Sequence, residues 1–194
     1  MESIIEKKYQ EKCRIPSDIN ENLPVLKKYT EECEIVIEMG VRSVVSTWAF
    51  LAGKPKELIS IDLFHPSYYK DHDPQGCEID LIKELSRKEN ISFNFIQADV
   101  LSIEIPECDL LFIDTKHDYT QLKREIEIHS DKVKKFIVFH DTESFKTKGE
   151  TQGDPGIWKA IEEFLYQNGE WEILEHLENN NGLTVIGKIS ENAK

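Results

Sequence analysis

Glu34–Leu51, EIVIEMGVRSVVSTWAFL, is the stretch whose reading decides the fold. A short β-branched apolar run ends in Glu38, reaches Gly40, and passes into a sequence of helical spacing. A strand that stops at a glycine before a helix leaves unpaired backbone N–H groups beside a crevice. In open α/β sheets that crevice, at the carboxyl ends of the strands, is where small-molecule cofactors bind. Glu38 at the strand tip favours a ligand with cationic groups or hydroxyls, because a carboxylate repels phosphate oxygens.

Outward from this stretch, apolar strand-like runs alternate with helical ones, the pattern of a parallel sheet covered on both faces. Strands are expected at Glu34–Glu38, Leu58–Asp62, Ser92–Ile96, Asp109–Asp114 and Phe136–Asp141. Helices are expected at Val41–Ala52, Glu78–Lys88 and Tyr119–Val133, the last opened by a capping box of Asp118 and Gln121. A further helix is expected with Asp154 as N-cap and Pro155 in its first position, ending at Gly169. Trp171–Leu177 and Leu183–Ile189 flank Asn-rich Glu178–Gly182, which predicts an antiparallel hairpin. Ile19–Glu32 reads as a leading helix capped by Asp18 or Asn20, a candidate element for a homodimer interface. Residues 1–17 read as a flexible or accessory segment whose charged first part frays.

The 194 residues fit one domain with a substantial core. A net charge of −13, from 37 acidic and 24 basic residues with no basic stripe, argues against a nucleic-acid partner. Cys13, Cys33, Cys77 and Cys108 are scattered without a C-x-x-C pair. With no signal peptide and no long apolar run, they point to reduced thiols, a cytoplasmic location, no membrane partner and no structural zinc.

The chemistry-bearing residues gather at strand ends. Glu38, Asp62, Asp114 and Asp141 each close a strand, and Asp99 follows the third. Any one of them reads equally as a turn residue. Together, at one edge of a parallel sheet, they would repel unless a cation neutralised them. If the fourth and fifth strands are neighbours, Asp114, His117, His140 and Asp141 meet. Asp114, His140 and Asp141 then form a candidate site for Mg²⁺ or Mn²⁺, with His117 as a base. The competing arrangement is metal-free, with His117 as base and Asp141 orienting it. His129 and His176 read as structural or surface residues, and Trp48 as core. His65 and His72 flank the loop Phe64–Gly76, read as solvated with a cover over the crevice as the alternative, and Phe145–Gly153 reads as a lid.

The segments IVIEMG (Ile35–Gly40), ISID (Ile59–Asp62), IQAD (Ile96–Asp99), LLFIDTKHDYTQL (Leu110–Leu122) and IVFHDT (Ile137–Thr142) resemble the class I S-adenosylmethionine-dependent methyltransferases. The resemblance spans about Ile19 to Ile189 and is nearest the small O-methyltransferase branch with macrocin-type and cephalosporin-hydroxylase-like members. It implies a Rossmann-like seven-stranded, mostly parallel sheet with helices on both faces and an antiparallel C-terminal hairpin. It also implies methyl transfer to a hydroxyl of a small polyhydroxylated acceptor. On this resemblance Glu38 and Gly40 form the cofactor loop, Asp62 holds the ribose hydroxyls and Asp99 the adenine amino group beside Ala98. Asp114 faces the methyl donor or a metal, Asp141 is a second ligand, and His117 is the base.

Two departures stand out. The family's loop carries two or three glycines, whereas here none follows Gly40 before Gly53, so hydroxyls of Ser43, Ser46 and Thr47 are candidates to supplement its donors. His140 stands where metal-dependent members carry an acid. The missing G-x-G-x-x-G argues against a nicotinamide nucleotide. The altered loop keeps open a non-catalytic binding module of the same fold, or a different donor.

Overall fold

The computed structural model describes residues 2–69 and 78–189. Seven strands, β1 (Ile35–Met39), β2 (Glu57–Asp62), β3 (Ser92–Gln97), β4 (Cys108–Ile113), β5 (Val133–His140), β6 (Trp171–Leu177) and β7 (Leu183–Lys188), form one sheet. Its order is β3-β2-β1-β4-β5-β7-β6. The first five strands pair in parallel, while β7 runs antiparallel to both β5 and β6.

The near-continuous apolar strands follow from burial on both faces. Successive side chains point to opposite sides, so each strand feeds two cores. Val36, Leu58, Leu110, Phe112 and Val138 pack with helices α1 (Ile4–Arg14), α2 (Leu23–Thr30), α3 (Val45–Ala52) and α4 (Ile79–Lys88). Ile37, Ile59, Leu111, Ile113, Ile137 and Phe139 pack with α5 (Tyr119–His129) and α6 (Trp158–Gln167). Trp48 is fully buried in the first core, as expected, and its indole N–H donates to Glu78. His129 is buried and hydrogen-bonded to the Val100 carbonyl, also as expected of a structural residue.

The hairpin turns through Asn180, Asn181 and Gly182, all at positive φ, which Asn and Gly tolerate best. The strand order reverses between β1 and β4, which opens a crevice at their carboxyl ends.

Several local expectations differ from what forms. α3 starts at Val45, because Val41–Val44 is a loop with Arg42 at φ 47° and Val44 at φ 59°. α5 ends at His129 and a short 3-10 turn, Ser130–Lys132, leads into β5 at Val133. α6 starts at Trp158 rather than Pro155, because Asp154 accepts from the backbone N–H groups of Tyr119 and Gly156 and so caps α5. Asp118 makes no capping bond, since its carboxylate takes the Thr151 backbone N–H and hydroxyl, and Gln121 turns to Glu125.

α2 begins only at Leu23, and Leu26 and Tyr29 of its apolar stripe are buried within the chain. α1 forms where fraying was expected. Ile5 is fully buried, and Lys8 and Lys12 both pair with Glu78 at 2.6 and 2.9 Å. Among the described residues Cys13, Cys33 and Cys108 are free thiols, and no helix is long and apolar enough to cross a membrane. Cys77, His72 and part of the loop Phe64–Gly76 lie outside the described residues.

Candidate active site

A cavity of about 470 Å³ occupies the crevice. Its walls bring together Gly40, Asp62, Asp99, Asp114, His117 and Asp141, all singled out in the sequence. Parallel pairing does this, because Asp62, Asp114 and Asp141 each close or directly follow a strand of the same sheet.

Gly40 has φ +85°, and a Cβ there would lie 1.8 Å from the Asp114 carbonyl oxygen. Its glycine character therefore serves the close approach of the β1 and β4 ends, where the Asp114 N–H donates to the Met39 carbonyl at 2.8 Å. Beyond it, Arg42 and Val44 hold the left-handed backbone that the missing glycines would have taken without strain. Asp62 braces this loop. Its Oδ2 accepts from the N–H groups of Val41 and Arg42 at 2.8 and 2.9 Å, and its Oδ1 from Phe64 at 2.8 Å. Three of roughly four acceptor positions on that carboxylate are thus occupied. Asp99 faces the cavity while accepting from the Leu101 N–H at 2.9 Å.

Glu38, Ser46 and Thr47 are placed elsewhere. Strand alternation turns Glu38 toward α3, where it is fully buried and accepts from Ser46 and Ser60 at 2.5 Å and from Thr47 at 2.9 Å. Burial pushes its carboxyl up to about 7, against the pull of those three hydroxyls, and the Asp114 charge adds to the rise. These hydroxyls tie α3 to the sheet rather than line the cavity. Ser43 is buried and is likewise not among the lining residues.

Among the cavity's lining residues, His117 Nε2 stands 2.9 Å from Asp141 and 3.2 Å from Asp114. Its Nδ1 and its backbone N–H both meet the Glu150 carboxylate, at 2.7 and 3.1 Å. Phe145 stacks on its ring at 4.5 Å with the planes 7° apart. Burial alone would lower the imidazolium's pKa, but Asp114 and Asp141 outweigh it and hold it up to about 10. Burial likewise opposes ionisation of Asp114, and the two histidines bring it down to about 2.

His140 is buried, with Nε2 against the Asp18 carbonyl at 3.2 Å and Nδ1 at 3.3 and 3.5 Å from Asp114 and Asp141. Asp114, His140 and Asp141 each offer one ligand atom, and these atoms lie within 4.8 Å of one another. His140 Nδ1 and Asp141 Oδ1 are buried without a hydrogen-bond partner. Two carboxylates and a buried imidazole whose Nδ1 is without a hydrogen-bond partner fit a divalent cation.

Glu150 carries no local signal in the sequence. It sits in a polar loop with no periodicity, and only the pairing with His117 across 33 positions marks it. Asp18 entered only as a cap, yet its carboxylate pairs with Arg42 at 2.7 Å and both residues line the cavity.

Strand order, the crevice position and the antiparallel end of the sheet define the class I S-adenosylmethionine-dependent methyltransferase fold. Among solved structures with this fold, a protein assigned as a caffeoyl-CoA O-methyltransferase from Staphylococcus aureus superposes with TM-score 0.62 at 15% identity, covering 97% of this chain and 93% of that one. The O-methyltransferase from Bacillus cereus, in complex with S-adenosylhomocysteine (SAH), gives TM-score 0.62 at 12% identity over 97% and 92% of the two chains. A tRNA methyltransferase from Bacillus subtilis gives 0.54 at 14% identity over 87% and 65%. No protein-family model matches the sequence, and no curated protein matches it. Since one fold carries such different acceptors, the activity has to be argued from the site.

Proposed function

We propose that this protein transfers a methyl group from S-adenosylmethionine to a hydroxyl of a small polyhydroxylated acceptor, a sugar or glycosylated metabolite. Asp114, His140 and Asp141 would hold an assisting divalent ion, Mg²⁺ or Mn²⁺. The observation that carries the reading is His117, beside two strand-end carboxylates in the cavity that Gly40, Asp62 and Asp99 also line.

S-adenosylmethionine supplies an electrophilic methyl on a cationic sulfonium, which suits a crevice rimmed by carboxylates. Asp62 and Asp99 would take its nucleoside end, and the Gly40 loop its methionine part. Asp62 has about one acceptor position left for a ribose hydroxyl. A divalent ion, when bound, would lower the pKa of an acceptor hydroxyl and orient it.

His117 would take the hydroxyl proton on Nε2. A cation that neutralises Asp114 and Asp141 also weakens the interactions holding the proton on that ring. With those carboxylates turned to a cation, Glu150 would hold the proton on Nδ1 and leave Nε2 free to accept from the hydroxyl. Phe145 and Glu150 come from the expected lid segment and cover His117, which limits the access of water.

The test is transfer of labelled methyl from S-adenosylmethionine to a panel of sugars and polyols, with and without chelator. Transfer to at least one hydroxyl is expected, and its loss on chelation supports the ion. The second reading is a binding module without turnover, favoured by the engagement of Asp62 in bracing its own loop. It predicts SAH binding with no transfer to any acceptor.

A further inference from the structure

The donor set bears on which ion it takes. Mg²⁺ favours oxygen ligands in near-ideal octahedral geometry and gives up its waters reluctantly, whereas imidazole suits the later first-row divalent ions. His140 brings a buried nitrogen into a set otherwise made of carboxylates. We propose that Asp114, His140 and Asp141 form a site that selects a first-row transition dication, of the Mn²⁺-to-Zn²⁺ series, over Mg²⁺. The inference rests on the metal-assisted reading above.

Three features converge on His140 Nδ1. The ring is 2% exposed, and its Nε2 lies 3.2 Å from the Asp18 backbone carbonyl. A metal-ligating histidine characteristically donates its other ring N–H to such a partner, which fixes the tautomer and turns the remaining lone pair toward the ion. Nδ1 itself has no hydrogen-bond partner, and it faces Asp114 and Asp141 at 3.3 and 3.5 Å. With bonds of about 2.0–2.2 Å, neighbouring ligand atoms around an ion stand about 2.8–3.6 Å apart. The observed separations fall within that range.

Asp141 is the third feature. It holds a left-handed backbone at φ 59°, and its buried Oδ1 is also without a partner. Non-glycine residues keep such a conformation where the surrounding structure over-determines it. Here it accompanies a carboxylate whose other oxygen, Oδ2, stands 3.5 Å from His140 Nδ1.

The experiment titrates the purified, metal-stripped protein with Mn²⁺, Co²⁺ and Mg²⁺ separately by calorimetry, and records pulsed electron paramagnetic resonance of the Mn²⁺-loaded protein. Mn²⁺ and Co²⁺ should bind at least about tenfold more tightly than Mg²⁺. The Mn²⁺ spectrum should carry nitrogen modulation that survives His117→Gln and disappears in His140→Asp, and the latter should narrow the Mn²⁺/Mg²⁺ ratio. Equal affinities, or nitrogen modulation that persists in His140→Asp, would overturn the selectivity while leaving a metal site standing. Absence of binding by every ion would overturn the metal reading and the selectivity with it. Should His140→Asp fail to fold, the unmodified protein's affinity ratio and the presence of nitrogen coupling still decide.

Discussion

Replacing Glu38 by Gln should make the protein's stability markedly less sensitive to pH. The carboxyl is fully buried between β1, β2 and α3, and burial raises it to about 7 from an ordinary value of 4.5. Between those two values the native state holds a proton that the unfolded chain has lost. Stability therefore falls as pH rises through this window, and the contribution is flat above it. A separation of about 2.5 pH units corresponds to about 3 kcal/mol.

Glutamine cannot ionise, and its amide can still accept from two of the hydroxyls of Ser46, Thr47 and Ser60 while donating to the third oxygen. Urea unfolding of both proteins at pH 5 and pH 8 isolates the effect, since other titrating groups cancel in the comparison. On going from pH 5 to pH 8, Glu38→Gln should gain about 2–3 kcal/mol relative to the unmodified protein. A stability difference that is the same at both pH values, within about 0.5 kcal/mol, would refute the buried, proton-holding carboxyl.

Three further outcomes are expected. His117→Ala should abolish methyl transfer while leaving SAH affinity within a few-fold, measured by turnover and calorimetry side by side; loss of tight SAH binding would contradict that division of roles. Glu150→Gln leaves the His117 ring with a weaker partner on Nδ1 and should lower kcat by about tenfold or more with little change in the KM for S-adenosylmethionine, and an unchanged kcat would remove Glu150 from the account. Gly40→Ala places a methyl 1.8 Å from the Asp114 carbonyl oxygen and should cost about 3 kcal/mol or more in urea unfolding, whereas a cost under about 1 kcal/mol would contradict the close approach of β1 and β4.

The elements legible in the sequence were those whose signal is local. Near-continuous apolar runs marked the central strands, because the sheet is covered on both faces, and the Asn-Gly turn marked the hairpin. Caps were less legible, because side chains with a local preference can be claimed by a neighbouring element. Asp154 caps α5 instead of the helix that follows it, and Asp118 holds the Thr151 segment.

Asp62, Asp114 and Asp141 line one cavity because parallel pairing carries strand ends to one edge. Glu38 was misplaced as a cavity residue because the pleat turns it toward α3, and a strand-tip position does not by itself say which way a side chain faces. Its buried partners Ser46 and Thr47 followed it there. Glu150 could not be read from the sequence at all, since a loop residue's partner depends on how the loop folds back.

The central claim, a cofactor crevice built by the Gly40 loop with Asp62 and Asp99, is tested most directly by calorimetric titration of the purified protein with SAH. One molecule should bind per chain with a dissociation constant on the order of 1 μM, about −8 kcal/mol. No heat of binding at millimolar SAH, with or without added Mn²⁺, would contradict it.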